Sequence, residues 1–485
     1  MDNKMLARNA VLNTVKTVLG IGFPLITFPY VSRVLGVESL GIYNFASSIV
    51  AYFLLFAGLG IPTYAVREGA RYRDNPEKLQ SFVSEIFTLN TISTAVSYGV
   101  LILCVGLIPK LQDHRLAITI LSVEIISTTI GSTWICNVFE DFKSITIRTT
   151  VFQVISLCLL ILIVKSPSDI YRYLFIVALS NSGSNFVNYI YVRTRYGIIL
   201  KPEVNTHWKK HVRPIMVIFS TSVAVTIYVS SDMTMLGFLT SDYYVGIYST
   251  AVKIYTIIKN ILSSFLIVFI PQFSIMLSSN KTENQAKTLF SRIFCILTLM
   301  LLPVSTGLFM TSRDVIQLIS GTEYIDAVPS LKVLSIAIMF SLYAFIYVQC
   351  ALIPAKEESV VFRTTCISAV VNVVLNLVLI PRYGIVGAAL TTTISELLTF
   401  LLAYNKGRKI ICLEGIGHDL LSIIAGCVAI VLVCMVSNSI DVLALRLIVQ
   451  LVASAALYVF VLLLFKNKAI LDLLLFLRPN NQSRY

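Results

Sequence analysis

Stretches of about twenty mostly apolar residues, the length needed to cross the hydrocarbon of a bilayer, recur about fourteen times in this chain. They run approximately over 9–32, 41–64, 86–109, 116–139, 149–164, 173–196, 214–238, 245–271, 293–312, 333–354, 364–381, 383–405, 419–438 and 445–465. A backbone in hydrocarbon has no water to bond, so segments of this length satisfy their own N–H and C=O groups as helices. Fourteen of them use up nearly all of the 485 residues and leave no room for a large soluble core. Composition agrees, since 13% of residues are charged where a soluble domain has about 25%. The fold class that follows is an all-α integral membrane protein with about 14 transmembrane helices.

A net charge of +13 would suggest nucleic-acid binding in a soluble protein, but its distribution says otherwise. With the N-terminus inside, 26 of the 38 lysines and arginines fall on that side, 9 on the opposite side and 3 within spans. By the positive-inside rule both termini are then cytoplasmic, and an even number of spans agrees. The excess charge serves orientation and anionic headgroups, and no nucleic-acid partner is expected. Lys4 and Arg8 precede an apolar run too long for a signal-peptide core and without an A-x-A site, so the run reads as an uncleaved first span. The nine cysteines include no C-x-x-C pair and read as small apolar residues.

The basic segment Tyr196–Arg213 is the strongest break in composition and divides the chain into halves. Each half carries the same signature: Leu35-Gly36 then Gly41-Ile42-Tyr43 in the first, Leu236-Gly237 then Gly246-Ile247-Tyr248 in the second. Its position at equivalent span boundaries implies a duplicated bundle, as in many transporters. The expected organisation is an N-terminal six-helix lobe over 1–200, a second over 214–405, and two additional helices with a cytoplasmic tail over 414–485. The tail from Lys466 to Arg478 has the composition of an amphipathic surface helix.

Lys16, Lys253 and Lys259 lie inside spans. An ammonium in lipid costs roughly 2.5–3.5 kcal/mol on insertion scales, so each should face a polar cavity or a partner. Helical spacing puts Asn9, Asn13, Lys16, Gly20, Pro24 and Thr27 on one stripe of the first span, and Ser249, Lys253, Thr256, Asn260 and Ser263 on one stripe of the eighth. Asn181, Asn185 and Asn188 form a third stripe, and Thr392, Glu396 and Thr399 a fourth. Such stripes face the bundle interior, either as interhelical hydrogen bonds or as a lining for cargo. The carboxylates within the expected spans are Glu124, Asp232 and Glu396, which are candidate charge partners or ion-coupling groups. Asp232 is the natural partner for Lys253 or Lys259 across a short connection, and Lys16 has none in view. Arg33 ends the first span at the far interface, with the outer mouth as its alternative place.

Catalytic signatures are absent. No G-x-x-x-x-G-K-[ST] loop and no H-E-x-x-H occur. His207 and His211 have metal-ligand spacing but flank Lys209 and Lys210, so they read as loop residues and not as zinc ligands. Neither a metal nor a cofactor is expected, and the chain is not expected to be an enzyme.

Three blocks of sequence add a family. Phe28-Pro29-Tyr30-Val31-Ser32-Arg33-Val34-Leu35-Gly36 with Leu40-Gly41-Ile42-Tyr43-Asn44 and Gly60-Ile61-Pro62-Thr63-Tyr64-Ala65-Val66-Arg67-Glu68 resembles the start of Wzx-type polysaccharide-repeat flippases. Ser231-Asp232-Met233-Thr234-Met235-Leu236-Gly237 and Pro381-Arg382-Tyr383-Gly384-Ile385-Val386-Gly387 agree with it. The resemblance implies the multidrug/oligosaccharidyl-lipid/polysaccharide exporter fold, two pseudo-symmetric six-helix bundles with two extra helices. It also implies translocation of an undecaprenyl-diphosphate-linked oligosaccharide across the bacterial inner membrane, with glycan polymerase and chain-length machinery as candidate partners. A cavity with Lys16, Lys253 and Lys259, helped by Arg33, Asn13 and Asn260, would replace the hydration of a diphosphate by charge-assisted hydrogen bonds. A cation-coupled drug antiporter of the same fold would instead be rich in carboxylates. A membrane polysaccharide polymerase would need a large outward loop, and no loop on that side exceeds about 20 residues.

Overall fold

The first helix, α1 (Asn3–Gly58), has 56 residues. At 1.5 Å per residue that is about 84 Å, far more than the roughly 30 Å of hydrocarbon one crossing needs. The excess is resolved at Gly36, whose φ of 74° and ψ of 177° break the helix into two arms. Side chains other than glycine essentially never adopt that backbone, which explains a glycine here. Gly36→Ala is therefore expected to lower the melting temperature of the detergent-solubilised protein, at a cost of about 1–3 kcal/mol. Gly99→Ala, at a helical position with open space around it, should leave melting unchanged or raise it.

The structure, a computed structural model, describes residues 3–203, 207–267, 269–278, 283–413, 417–467 and 470. Side chains are described at residue 20 and over 22–203, 207–267, 269–277, 285–413, 419–467 and 470. After α1 come α2 (Ile61–Gly69), α3 (Pro76–Leu107), α4 (Pro109–Asp113), α5 (Arg115–Gly131), α6 (Trp134–Val138), α7 (Phe142–Ile163) and α8 (Ile170–Tyr196). They are followed by α9 (Lys209–Leu239), α10 (Asp242–Ile267), α11 (Ile270–Ser278), α12 (Glu283–Ile319), α13 (Val328–Tyr347), α14 (Glu358–Gly407), α15 (Gly417–Ser437) and α16 (Leu443–Leu464). No strand occurs among the described residues.

Ten of the helical segments among the described residues are long and apolar enough to cross a membrane. Two of these contain a break, because α14 repeats the device of α1: its 50 residues turn at Gly384, with φ 55° and ψ −131°, three residues after Pro381. The paired spans expected on either side of each break are thus continuous but for a single residue. Two of the expected spans stand outside the ten: α5 is only 17 residues long, and α8 carries the asparagine stripe. The expected tail helix lies mostly beyond residue 470, outside the described residues.

The chain divides into two units, Met1–Gly246 and Ile247–Tyr485. The division falls inside α10, so α9 packs with the first unit, on α1 and α2. One end of the first unit is filled by Ile61, Tyr64, Phe82, Trp134, Ile135 and Val192, all buried. Short connections there are fixed by polar side chains at helix starts. Asn75 accepts from the backbone N–H of Lys78 at 3.1 Å ahead of α3, and Asp141 accepts from that of Ser144 at 3.2 Å ahead of α7. In the second unit α15 and α16 pack on α12 through Leu299, Ile423, Cys434, Tyr458 and Leu462. The Tyr458 hydroxyl donates to the Leu299 carbonyl at 2.7 Å, so the phenol is buried without losing its hydrogen bond.

Candidate functional site

Near the start of α10, Tyr248 is buried in the second unit and its hydroxyl lies 3.4 Å from Thr392 Oγ1 on α14. Further along α10, about three turns on, the same helix pair holds charge. Lys259 Nζ is 2.9 Å from Glu396 Oε1, the Tyr255 hydroxyl donates to the same oxygen at 2.8 Å, and Lys259 Nζ also reaches the Tyr255 hydroxyl at 3.3 Å. The ammonium sits 5.5 Å from the centre of the Tyr255 ring, within cation–π range. Glu396 is almost completely enclosed, with 5% of its side chain exposed, so its charge depends on these two donors. One turn further along α14, the Thr399 hydroxyl donates to Ser368 at 2.8 Å.

Lys253 differs from Lys259. It lies on the same helix, partly buried, and makes no hydrogen bond or ion pair with any of the described residues. An ammonium in that position has lost part of its hydration without replacement from the described residues. Asn260 is exposed.

In the first unit the asparagine stripe of α8 is used for helix packing. Asn181 donates to Glu124 at 3.1 Å and Asn185 to Ser127 at 3.3 Å, both on α5, while the Thr133 hydroxyl donates to Asn185 at 3.2 Å. Asn188 accepts from Arg148 of α7 and donates to the Gly131 carbonyl. Arg148 also lies over the Tyr191 ring, 4.6 Å from its centre. These contacts tie α5, α7 and α8 together in the manner of polar residues in other membrane bundles. Asp232 is buried in α9 and Arg33 is exposed on α1, just before the break. Lys16 and Asn13 lie on α1 where side chains are outside the described residues.

The sequence assigns no pairing to several charged groups of the structure, and His211, expected as a loop residue, is buried in α9. Glu85 of α3 is buried and takes His211 Nε2 at 2.7 Å and Lys210 Nζ at 2.9 Å, with the Tyr64 hydroxyl 2.7 Å from His211 Nδ1. Asp314 of α12 pairs with Arg446 of α16 at 2.6 Å. Asp242, the first residue of α10, is held by His114 at 3.0 Å. Glu85 and Asp314 sit just outside the expected spans 86–109 and 293–312, whereas their helices extend to Pro76 and Ile319. A hydropathy boundary falls where charges begin, although the helix continues and buries them against a partner.

Comparison with known proteins places this geometry. Residues 6–277, more than half of the chain, match a family model described as "Polysaccharide biosynthesis protein". A candidate O-antigen transporter of Escherichia coli (strain K12) is 22% identical, over 84% of this chain and 99% of that protein. "Capsular polysaccharide biosynthesis protein CapF" of Staphylococcus aureus is 24% identical, over 77% of this chain and 92% of that one. Among solved structures, the lipid II flippase MurJ in an inward closed conformation superposes with a TM-score of 0.76 at 15% identity, covering 96% of this chain and 100% of that one. That likeness extends over nearly the whole chain and shows that its helical fold is shared with that protein. With more than half of its length matched, the chain belongs to the polysaccharide biosynthesis protein family.

Proposed function

We propose that the protein is a flippase that moves an undecaprenyl-diphosphate-linked oligosaccharide from the inner to the outer leaflet of the bacterial inner membrane, for O-antigen, capsule or another surface polysaccharide. Family membership and the architecture shared with a lipid II flippase support this class of cargo. Relatives described as an O-antigen transporter and a capsular polysaccharide protein point the same way. The observation that carries the reading is Lys253, a partly buried ammonium in a membrane-crossing helix with no partner among the described residues.

A diphosphate cannot enter hydrocarbon with its charges bare, and an unpaired ammonium replaces part of its hydration by charge-assisted hydrogen bonds. The transmembrane potential adds about 2.3 kcal/mol per charge per 100 mV, so neutralising cargo charge lowers the work of moving it. In this reading Lys253, Lys259 and Lys16 bind the diphosphate with help from Arg33, Asn13 and Asn260. Glu396, Asp232 and Glu124 are the charge partners or coupling groups. The lobes over 1–200 and 214–405 alternate access, and the region 414–485 supplies two more helices and a tail. Counting each broken helix as two crossings, and α5 and α8 as one each, supports fourteen crossings with both termini in the cytoplasm. Anionic lipids, a glycan polymerase and chain-length machinery are the proposed partners.

The test is complementation of a strain that lacks its own flippase. Surface glycan is expected to return, and lipid-linked repeat units to stop accumulating on the cytoplasmic leaflet. Export of cationic dyes with glycan display unchanged would overturn the reading in favour of an antiporter.

A further inference from the structure

Helix α9 is pinned to the first unit at both ends by a histidine–carboxylate pair, and the two pairs differ in what they demand of the imidazole. At the start of α9, His211 lies between Glu85 and the Tyr64 hydroxyl. A tyrosine hydroxyl both donates and accepts, so a neutral imidazole satisfies this pair: the phenol gives its proton to Nδ1 and Nε2–H is given to the carboxylate. Beyond the end of α9, His114 has no such freedom. Its Nδ1 is 2.8 Å from the Lys110 carbonyl oxygen, and its Nε2 is 3.0 Å from both oxygens of Asp242. Each of those partners accepts only, so both ring nitrogens have to carry hydrogen and the ring has to be an imidazolium.

The surroundings of His114 make that bond a structural one. The side chain is 5% exposed, with the Phe45 ring edge-on at 4.9 Å between their centres, and Phe45 packs in turn on Phe238 of α9. The charged groups that face it among the described residues are Asp242 from α10 and Lys110 from α4, whose ammonium lies 3.9 Å from Asp242. The elements α1 and α9 present aromatic rings to the cluster. Burial alone pushes the imidazolium down, but the Asp242 carboxylate and the Lys110 carbonyl outweigh it and hold His114 above the usual histidine range.

The same spot is where two helix starts cross at backbone contact. A Cβ at Gly41 would overlap the Asp242 carbonyl, and a Cβ at Gly246 would overlap the Val37 carbonyl. Val37 precedes Gly41 by four residues, as Asp242 precedes Gly246 by four, so the contact is reciprocal and joins the two copies of the repeated Gly-Ile-Tyr signature. Close glycine crossings of this kind hold helices by packing alone and part without leaving polar groups bare. The charged contacts at the α9–α10 turn are those of Asp242 with His114 at 3.0 Å and with Lys110 at 3.9 Å, and of the two partners histidine is the residue type whose charge changes near neutral pH.

We propose that His114 is a proton-dependent clasp that holds the α9–α10 turn onto α1 and α5 in the state described here, and that loss of its proton releases the turn. The sign follows from linkage. With the turn clasped, His114 holds its proton above the ordinary value of about 6.5; with the turn free it returns to that value. The stabilisation is complete below about pH 6.5 and disappears as pH rises through the clasped value, by up to roughly tenfold in the opening constant per pH unit.

Hydrogen–deuterium exchange of the full-length protein in nanodiscs tests this, with exchange times scaled for intrinsic chemistry from mildly acidic to alkaline pH. Amides 240–250 are expected to lose protection with rising pH, while the segment after His211 stays flat. His114→Gln should abolish the pH dependence, and Asp242→Asn should leave the turn poorly protected at every pH. His114→Lys, which keeps a cation opposite Asp242, should keep the turn protected into the alkaline range. A flat wild-type profile at 240–250, a wild-type slope retained in His114→Gln, or equal loss at both ends of α9 would overturn the proposal.

Discussion

Glycan export by a Lys253→Ala variant is expected to fall roughly 10- to 100-fold at equal abundance in the membrane, as expected for loss of one charge-assisted hydrogen bond to a phosphate worth about 1.5–3 kcal/mol. Folding should be unaffected or slightly improved, because Lys253 has no partner among the described residues to leave stranded. That combination separates it from an ordinary destabilising change in a core. Lys253→Arg keeps the positive charge and should retain part of the activity, whereas Lys253→Met keeps the bulk of the stem and should not. Accumulation of lipid-linked repeat units on the cytoplasmic leaflet is the measurement, read beside melting of the purified variants. Normal export by Lys253→Ala would remove the observation on which the substrate reading rests.

Fold class was legible because hydropathy over about twenty residues is a direct consequence of bilayer thickness. The breaks at Gly36 and Gly384 were legible as boundaries but not as single-residue kinks, since hydropathy records only that polar or small residues interrupt an apolar run. The repeated Gly-Ile-Tyr signature is visible in the sequence, while the reciprocal backbone contact that its glycines Gly41 and Gly246 allow required coordinates. For the site, helical spacing places Lys253 and Asn260 on one stripe with Lys259 at its edge, whereas in the structure Asn260 is exposed and Lys259 is the residue that meets Glu396. Spacing does not assign partners: Lys259 and Glu396 are 137 residues apart, and His114 and Asp242 are 128 apart. Ranking Asp232 first as the partner relied on nearness in sequence, and the carboxylate bonded to Lys259 comes from a distant helix. Glu85 and Asp314 escaped notice because span boundaries drawn from hydropathy exclude the charges that tertiary pairing allows a helix to bury.

The Lys259–Glu396 pair decides whether Lys259 is a ligand or a strut, because stability and transport respond differently when it is dismantled. Glu396→Ala leaves an ammonium in the bundle without its anion and removes the acceptor for the Tyr255 hydroxyl. Breaking an enclosed pair on one side typically costs about 3–5 kcal/mol, and the lower end applies because the Lys259 side chain is 29% exposed. Glu396→Gln keeps an acceptor for Tyr255 and should cost less. Removing both charges in Lys259→Met/Glu396→Leu should recover most of the lost stability, since an apolar pair of similar volume is often as stable as the ion pair it replaces. Transport gives the other half of the answer. If Lys259 exchanges Glu396 for the cargo diphosphate, the double variant melts like the wild type yet exports roughly tenfold less, and adding Lys253→Ala abolishes export. If the double variant exports normally, Lys259 is a structural cation, and Lys253 alone carries the diphosphate contact on α10.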